Sequence, residues 1–202
     1  ENYIVRNIWR RFKEDEVCYN GGSALGNVIE QSGTLWNKLL KRELIGCIRF
    51  NEKIRYAEDT LFLSEYLLKA NCVAVTKTPL YYYRINRLGN VVSGGLNSRH
   101  LDYLYATALI FDILRENGSV DVGVERVVDV GIRVAALMNK TNKQKCYMDA
   151  IRQLAKKAMP YRTELIKNNR SVKQYFKKFI LTQMSYGNCL FVYCSKIVNR
   201  IK

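Results

Sequence analysis

Acidic residues nearly vanish from the last third of this chain. Residues 139–202 hold fifteen Lys and Arg against only Asp149 and Glu164, whereas the first 138 hold eighteen basic and sixteen acidic residues. The formal net charge of +15 is thus gathered at one end, which suits either an anionic partner or a solvated helical face. Redox and metal signatures are missing too. The six cysteines (Cys18, Cys47, Cys72, Cys146, Cys189, Cys194) form no CxxC and lie mostly in apolar runs. That is the pattern of reduced, buried thiols in a cytosolic protein, not of a disulfide framework. One histidine, His100, leaves no zinc, Ser-His-Asp or Cys-His constellation to compete for the chemistry. No signal peptide opens the chain, and no apolar run approaches the ~18 residues of a helical membrane span. Glycine is present without a phosphate motif. NGGSALGN at 20–27 lacks both the P-loop spacing and GxGxxG, and it predicts a flexible connector.

What remains is a chain of 202 residues, enough for one sizeable core with an appendage. Residues 1–33 predict an extended segment, Asn2–Phe12, and then a polar loop. A short strand or turn at Thr34–Trp36 leads into a predicted helix through Asn37–Ile45 with Lys38, Lys41 and Arg42 on one side. A second helix, Asp59–Ala70, has Leu61, Phe62, Tyr66 and Leu68 on or beside its apolar face, and Ala70-Asn71 ends it. Two β-rich runs follow, Cys72–Thr76 and Leu80–Ile85, broken at Pro79. Beyond Asn97 the pattern is helical: 101–117, stopping at Gly118, then 122–140, 146–159 and 172–201, the last interrupted at Gly187. His100 opens the first of these and reads as a structural residue more readily than as a ligand.

Glu58-Asp59 stand where a loop becomes a helix. Carboxylates in a first helical turn interact favourably with the helix dipole, and one held at a cleft mouth can act as a general base. They can equally do no more than cap the helix. Trp36 offers an aromatic face for sugar C–H groups, or a core side chain. Of Tyr81, Tyr82 and Tyr83, the strand pleat turns Tyr82 away from the other two.

Taken in order, LWNKL at 35–39, KREL at 41–44, IRF at 48–50, IRYAEDTLFLSEYLLKA at 54–70 and PLYYYRI at 79–85 resemble the second half of a family 2 glycosyltransferase. The resemblance spans roughly 50 to 70 residues. It implies a GT-A fold and transfer from a nucleotide-sugar donor to a glycan or lipid-linked acceptor, of the kind used in cell-envelope polysaccharide synthesis. Asp59 would be the base with Glu58 beside it, and Trp36, Asn37, Lys38, Tyr82, Arg84 and Arg87 would line the substrates. RLGNVVS at 87–93 matches the family's mobile donor-site loop imperfectly. A divalent metal, Mg or Mn, is implied for the intact enzyme, yet the family's Asp-x-Asp after a strand is not found; Glu14-Asp15-Glu16 is a poor substitute. With the chain beginning at Glu1 in mid-strand, these features predict a truncated domain that lacks its amino-terminal nucleotide-binding half and is inactive alone.

The expected fold is therefore α+β: a partial mixed sheet, the remnant of a GT-A fold, in residues 1–96, then a mostly α-helical carboxy-terminal region in 97–202. Its orphaned sheet edge predicts self-association. A cytoplasmic location follows, with peripheral contact at the inner membrane face through residues 172–198, where Lys173, Lys177 and Lys178 alternate with Tyr175, Phe176 and Phe179. The alternative function is a basic helical module for nucleic acid or anionic membrane. The resemblance does not imply a nucleic-acid partner.

Overall fold

The computed structural model describes residues 3–4, 17–31, 33–75, 81, 83–84, 95–138, 145–167 and 172–187. They are mostly helical and fall in two compact units, residues 1–51 with 58–95, and residues 52–57 with 96–202.

The first unit contains four short strands: β1 (Tyr3–Ile4), β2 (Val17–Asn20), β3 (Cys72–Val75) and β4 (Tyr83–Arg84). β2 pairs antiparallel with β3, Cys18 opposite Ala74, and β1 pairs antiparallel with β4, Tyr3 opposite Arg84. The expected partial mixed sheet is thus corrected to two antiparallel pairs among the described residues. Helix α1 (Gly21–Gln31) replaces the expected glycine-rich connector. Ala24, Leu25, Val28 and Ile29 recur one turn apart and are almost completely buried; that stripe outweighs the poor helix propensity of Gly21, Gly22 and Gly26.

Helix α2 (Arg42–Ile45) is one turn long, not the longer helix expected from Asn37. Residues 34–41 instead fold on themselves: Lys38 N–H donates to Leu35 O at 3.1 Å, and Lys41 N–H donates to Tyr66 Oη at 2.7 Å. Gly46, at φ +47, closes that turn, a conformation that favours glycine. Helix α3 (Glu58–Leu67) is buried on nearly every side, through Thr60, Leu61, Phe62, Leu63, Ser64, Tyr66 and Leu67. It ends three residues earlier than Ala70, which leaves Leu68 exposed. Ser64, buried inside it, donates its hydroxyl to Thr60 O at 2.8 Å.

The second unit is a helical bundle of α4 (Arg99–Glu116), α5 (Val120–Ala136), α6 (Lys145–Ala158), a 3₁₀ turn at Met159–Tyr161, α7 (Glu164–Lys167) and α8 (Val172–Tyr186). Gly118, at φ +77, reverses the chain after α4, and Ser119 N–H donates back to Leu114 O at 2.8 Å. That is a Schellman closure, at the glycine where the pattern predicts a stop. α4 and α5 approach closely because Gly123 has no side chain; a Cβ there would lie 3.0 Å from Phe111 Cδ2. Phe111, Val124, Val127, Val128, Ile151, Leu154, Ile180, Leu181 and Met184 form the core.

Several charges of this unit are paired. Asp112 accepts from Lys157 and lies 3.2 Å from Arg115. Lys177, on the buried side of α8, bonds Glu125 and lies 3.0 Å from Asp129. The expectation that Lys177 faces outward is corrected: at helical spacing it shares the side of Ile180, Leu181 and Met184. His100 is buried with its ring edge against Tyr56, 5.8 Å between centroids. Cys72 is disulfide-bonded, against the expected reduced thiols, and Cys47 and Cys146 are exposed, against the expected burial. Turns and helix starts bring these residues to the surface, against the burial expected from neighbouring apolar residues.

Candidate functional site

The first unit brings the loop at 33–41 against the first turn of α3. Gly33 presses on that turn so closely that a Cβ would sit 2.3 Å from Thr60 Oγ1. Thr60 itself is buried. From the far end of the helix, the Tyr66 hydroxyl accepts from Lys41 N–H and holds the other end of the loop. The loop is thereby tied to α3 at both ends.

Between those ties lie the charged groups. Asp59 is half-buried, and its Oδ1 accepts from Thr60 N–H at 2.7 Å and Thr60 Oγ1 at 3.3 Å. It thus serves one of the first-turn amides that a helix cannot satisfy internally. Oδ2 accepts no hydrogen bond among the described residues. Glu58 is half-buried beside it. Just upstream, Ala57 takes φ +66, a left-handed conformation that costs an alanine about 1 kcal/mol.

Lys38 reaches back to Thr34 O and donates to Asn37 Oδ1 at 2.7 Å. Burial lowers its pKa from 10.5 to about 8, opposed by the attraction of the Asp59 carboxylate. Desolvation disfavours a charged amine, and a nearby anion restores part of the loss. The Asn37 amide nitrogen is buried and has no hydrogen-bond acceptor. Next to these groups Trp36 packs on Tyr81, with centroids 4.6 Å apart and a tilt of 33°. Trp36 is half-buried and Tyr81 exposed, so the pair forms an aromatic surface and not a core contact alone. Leu39 extends fully into solvent.

Of the residues singled out in the sequence, Glu58, Asp59, Trp36, Asn37 and Lys38 lie on this loop and helix turn. Arg84 belongs to β4, where only the backbone is described, and Tyr82 and Arg87 lie outside the described residues. Sequence reasoning missed Gly33, Thr34, Thr60 and Tyr81. The run Tyr81–Tyr83 carried a signal for the last; Gly33 carried one only as a residue before a turn. Among the described residues, no three His, Cys, Asp or Glu side chains cluster in a way that could hold a metal ion. The implied Mg or Mn therefore finds no ligand set among these residues. No family model, no curated protein and no solved structure matches the chain.

Proposed function

We propose that this chain is the acceptor-side part of a family 2 glycosyltransferase of hexosyltransferase type, with Asp59 as general base. One observation carries the reading: the loop of the LWNKL stretch is tied to the AEDT helix through Gly33 against Thr60 and Lys41 N–H to Tyr66 Oη, and there the Asp59 carboxylate attracts Lys38. Two motifs of the resemblance thereby share one charged site, beside the aromatic pair Trp36–Tyr81.

In the proposed reaction an acceptor hydroxyl hydrogen-bonds to Asp59 Oδ2 and passes its proton there as its oxygen attacks the anomeric carbon. The bond from that carbon to the diphosphate oxygen breaks, and the nucleoside diphosphate leaves with the bonding pair. A single displacement of this kind inverts the anomeric centre. Lys38 offsets negative charge around the carboxylate and the departing diphosphate. Asn37 donates its unused amide N–H to a sugar hydroxyl; a buried donor without an acceptor costs about 1–3 kcal/mol. Trp36 and Tyr81 pack on the apolar face of a pyranose, and Glu58 orients the acceptor. Arg84, with Tyr82 and Arg87, completes the substrate-lining set in this reading. The nucleotide-sugar donor would be held by an amino-terminal half of the same protein.

The reading puts the protein on the cytoplasmic side of a cell envelope, where nucleotide sugars are made. No helix among the described residues is long and apolar enough to cross a membrane. The Cys72 disulfide pulls the other way, since cytosolic thiols are kept reduced. Thiol labelling of the protein from unbroken cells reads which holds.

The test is transfer by the intact protein. Asp59→Asn should lower kcat by ~10²–10⁴-fold, the usual contribution of a general base, with little change in donor KM. A folded variant that keeps wild-type turnover would sink the assignment.

A further inference from the structure

Helix α8 is apolar on two opposite sides. Its inner side buries Ile180, Leu181 and Met184 completely. Its outer side exposes Tyr175 (50%), Phe176 (40%), Phe179 (44%) and Tyr186 (71%). At 3.6 residues per turn these four rings occupy a sector of about 100°, facing away from the buried side. Phe176 and Phe179 stack on each other with centroids 6.5 Å apart. A surface helix ordinarily turns charge outward and apolar groups inward. Here the polarity is partly reversed, because Lys177 points inward to Glu125 and Asp129 while the aromatics face out.

Basic groups frame the aromatic stripe. Lys173 is exposed and Lys178 half-exposed, and α8 contains no acidic residue. At the far end, Arg152 of α6 lies against Gly187; a Cβ there would be 3.2 Å from its Cδ. Arg152 is itself exposed, as is Lys156 one turn further along α6. A second copy is a poor occupant. Each copy would bring the same positive charges to the contact, with no acid on α8 to receive them. Nucleic acid would answer the charge, but single-strand binders stack bases inside a groove. α8 instead presents its rings along one line on a convex helix, the layout of a helix lying in a bilayer interface.

We infer that α8 docks this protein on an anionic lipid bilayer. Tyr175, Phe176, Phe179 and Tyr186 enter the interface, and Lys173, Lys178 and Arg152 meet the headgroups. Lys177 takes no part. The inference is independent of the glycosyltransferase reading.

Co-sedimentation of the 202-residue chain with vesicles of phosphatidylcholine, with and without phosphatidylglycerol, tests it. Binding is expected only with phosphatidylglycerol and falls as salt rises. The double variant Phe176→Ser/Phe179→Ser should weaken it at least ~10-fold through lost apolar contact, with only a small fall in melting temperature because neither ring belongs to the buried core. Phe179→Trp provides a second readout, a blue-shifted emission added on anionic vesicles. Three results overturn the proposal: no binding at low salt, single-stranded DNA binding as tight as vesicle binding and indifferent to the Phe variants, or a dimer in solution that shields Trp at position 179 without lipid.

Discussion

The two units treat a buried lysine in opposite ways. In the helical unit, Lys177 is met by two carboxylates, Glu125 and Asp129, one turn apart on α5. In the first unit, Lys38 is partly buried among a backbone carbonyl and an amide oxygen, and its pKa falls to about 8 although Asp59 attracts it. Strain accumulates on the same loop: Asn37 holds a buried N–H without an acceptor, and Gly33 crowds Thr60. Local departures from good folding practice mark sites kept for another purpose. The helical unit pairs its buried lysine with carboxylates, whereas the loop on α3 holds a desolvated lysine that the Asp59 carboxylate only partly compensates.

The same substitution at the two lysines should therefore have opposite consequences. Lys177→Met leaves Glu125 and Asp129 facing each other and should lower unfolding free energy by about 3 kcal/mol, the low end for a broken buried pair because both carboxylates keep some solvent contact. Urea unfolding measures it, and adding Glu125→Gln should restore part of the loss. If Lys177→Met is harmless, the contrast between the units collapses.

Gly33→Ala probes the crowding at α3. Its Cβ would overlap Thr60 Oγ1 at 2.3 Å, so either the loop or the first helical turn must shift. About 2 kcal/mol is expected, within the range for overpacking. Amide exchange at Thr60 should rise, because the turn that Asp59 braces is the part displaced.

The smallest effect is the most specific. Lys38→Met should lie within about 1 kcal/mol of wild type and on the stabilising side, after allowance for the solvent that still screens the amine. Its signature is in pH. Folded Lys38 loses its proton near 8 and the unfolded side chain near 10.5. Between these values the unfolded chain binds more protons, so wild-type stability should rise with pH across that window. Below about 8 the penalty is fully present. Lys38→Met should lack this rise, and denaturant midpoints measured from pH 7.5 to 10.5 would show it.

Much of the helical unit was legible in the sequence. Long apolar periods produce long helices, and Gly118 ended α4 where a left-handed residue was needed. α1 departs from the connector that three glycines predict, because Ala24, Leu25, Val28 and Ile29 already stand at helical spacing and are buried. The extended helix from Asn37 failed for another reason: Lys38 turns back to Thr34 O within the loop, and Lys41 N–H is held by the Tyr66 hydroxyl, which only the folded α3 supplies. Lys177 shows period information left unused, since its spacing to Ile180, Leu181 and Met184 marks the inner side. In the site, motif order picked out Asp59, Lys38 and Trp36 as candidates. The burial of Lys38, the idle Asn37 amide and the contact of Gly33 with Thr60 are properties of packing, and no local pattern encodes them.

Asp59 has two descriptions, brace of the α3 first turn and general base, and one preparation separates them. Transfer activity and the urea unfolding midpoint should be measured together on intact Asp59→Asn protein. An amide oxygen can still accept from Thr60 N–H but cannot take a proton from a sugar hydroxyl. The account predicts a midpoint close to wild type with turnover reduced at least ~100-fold. Turnover that survives while the midpoint falls would contradict it, and would leave Asp59 as a helix brace.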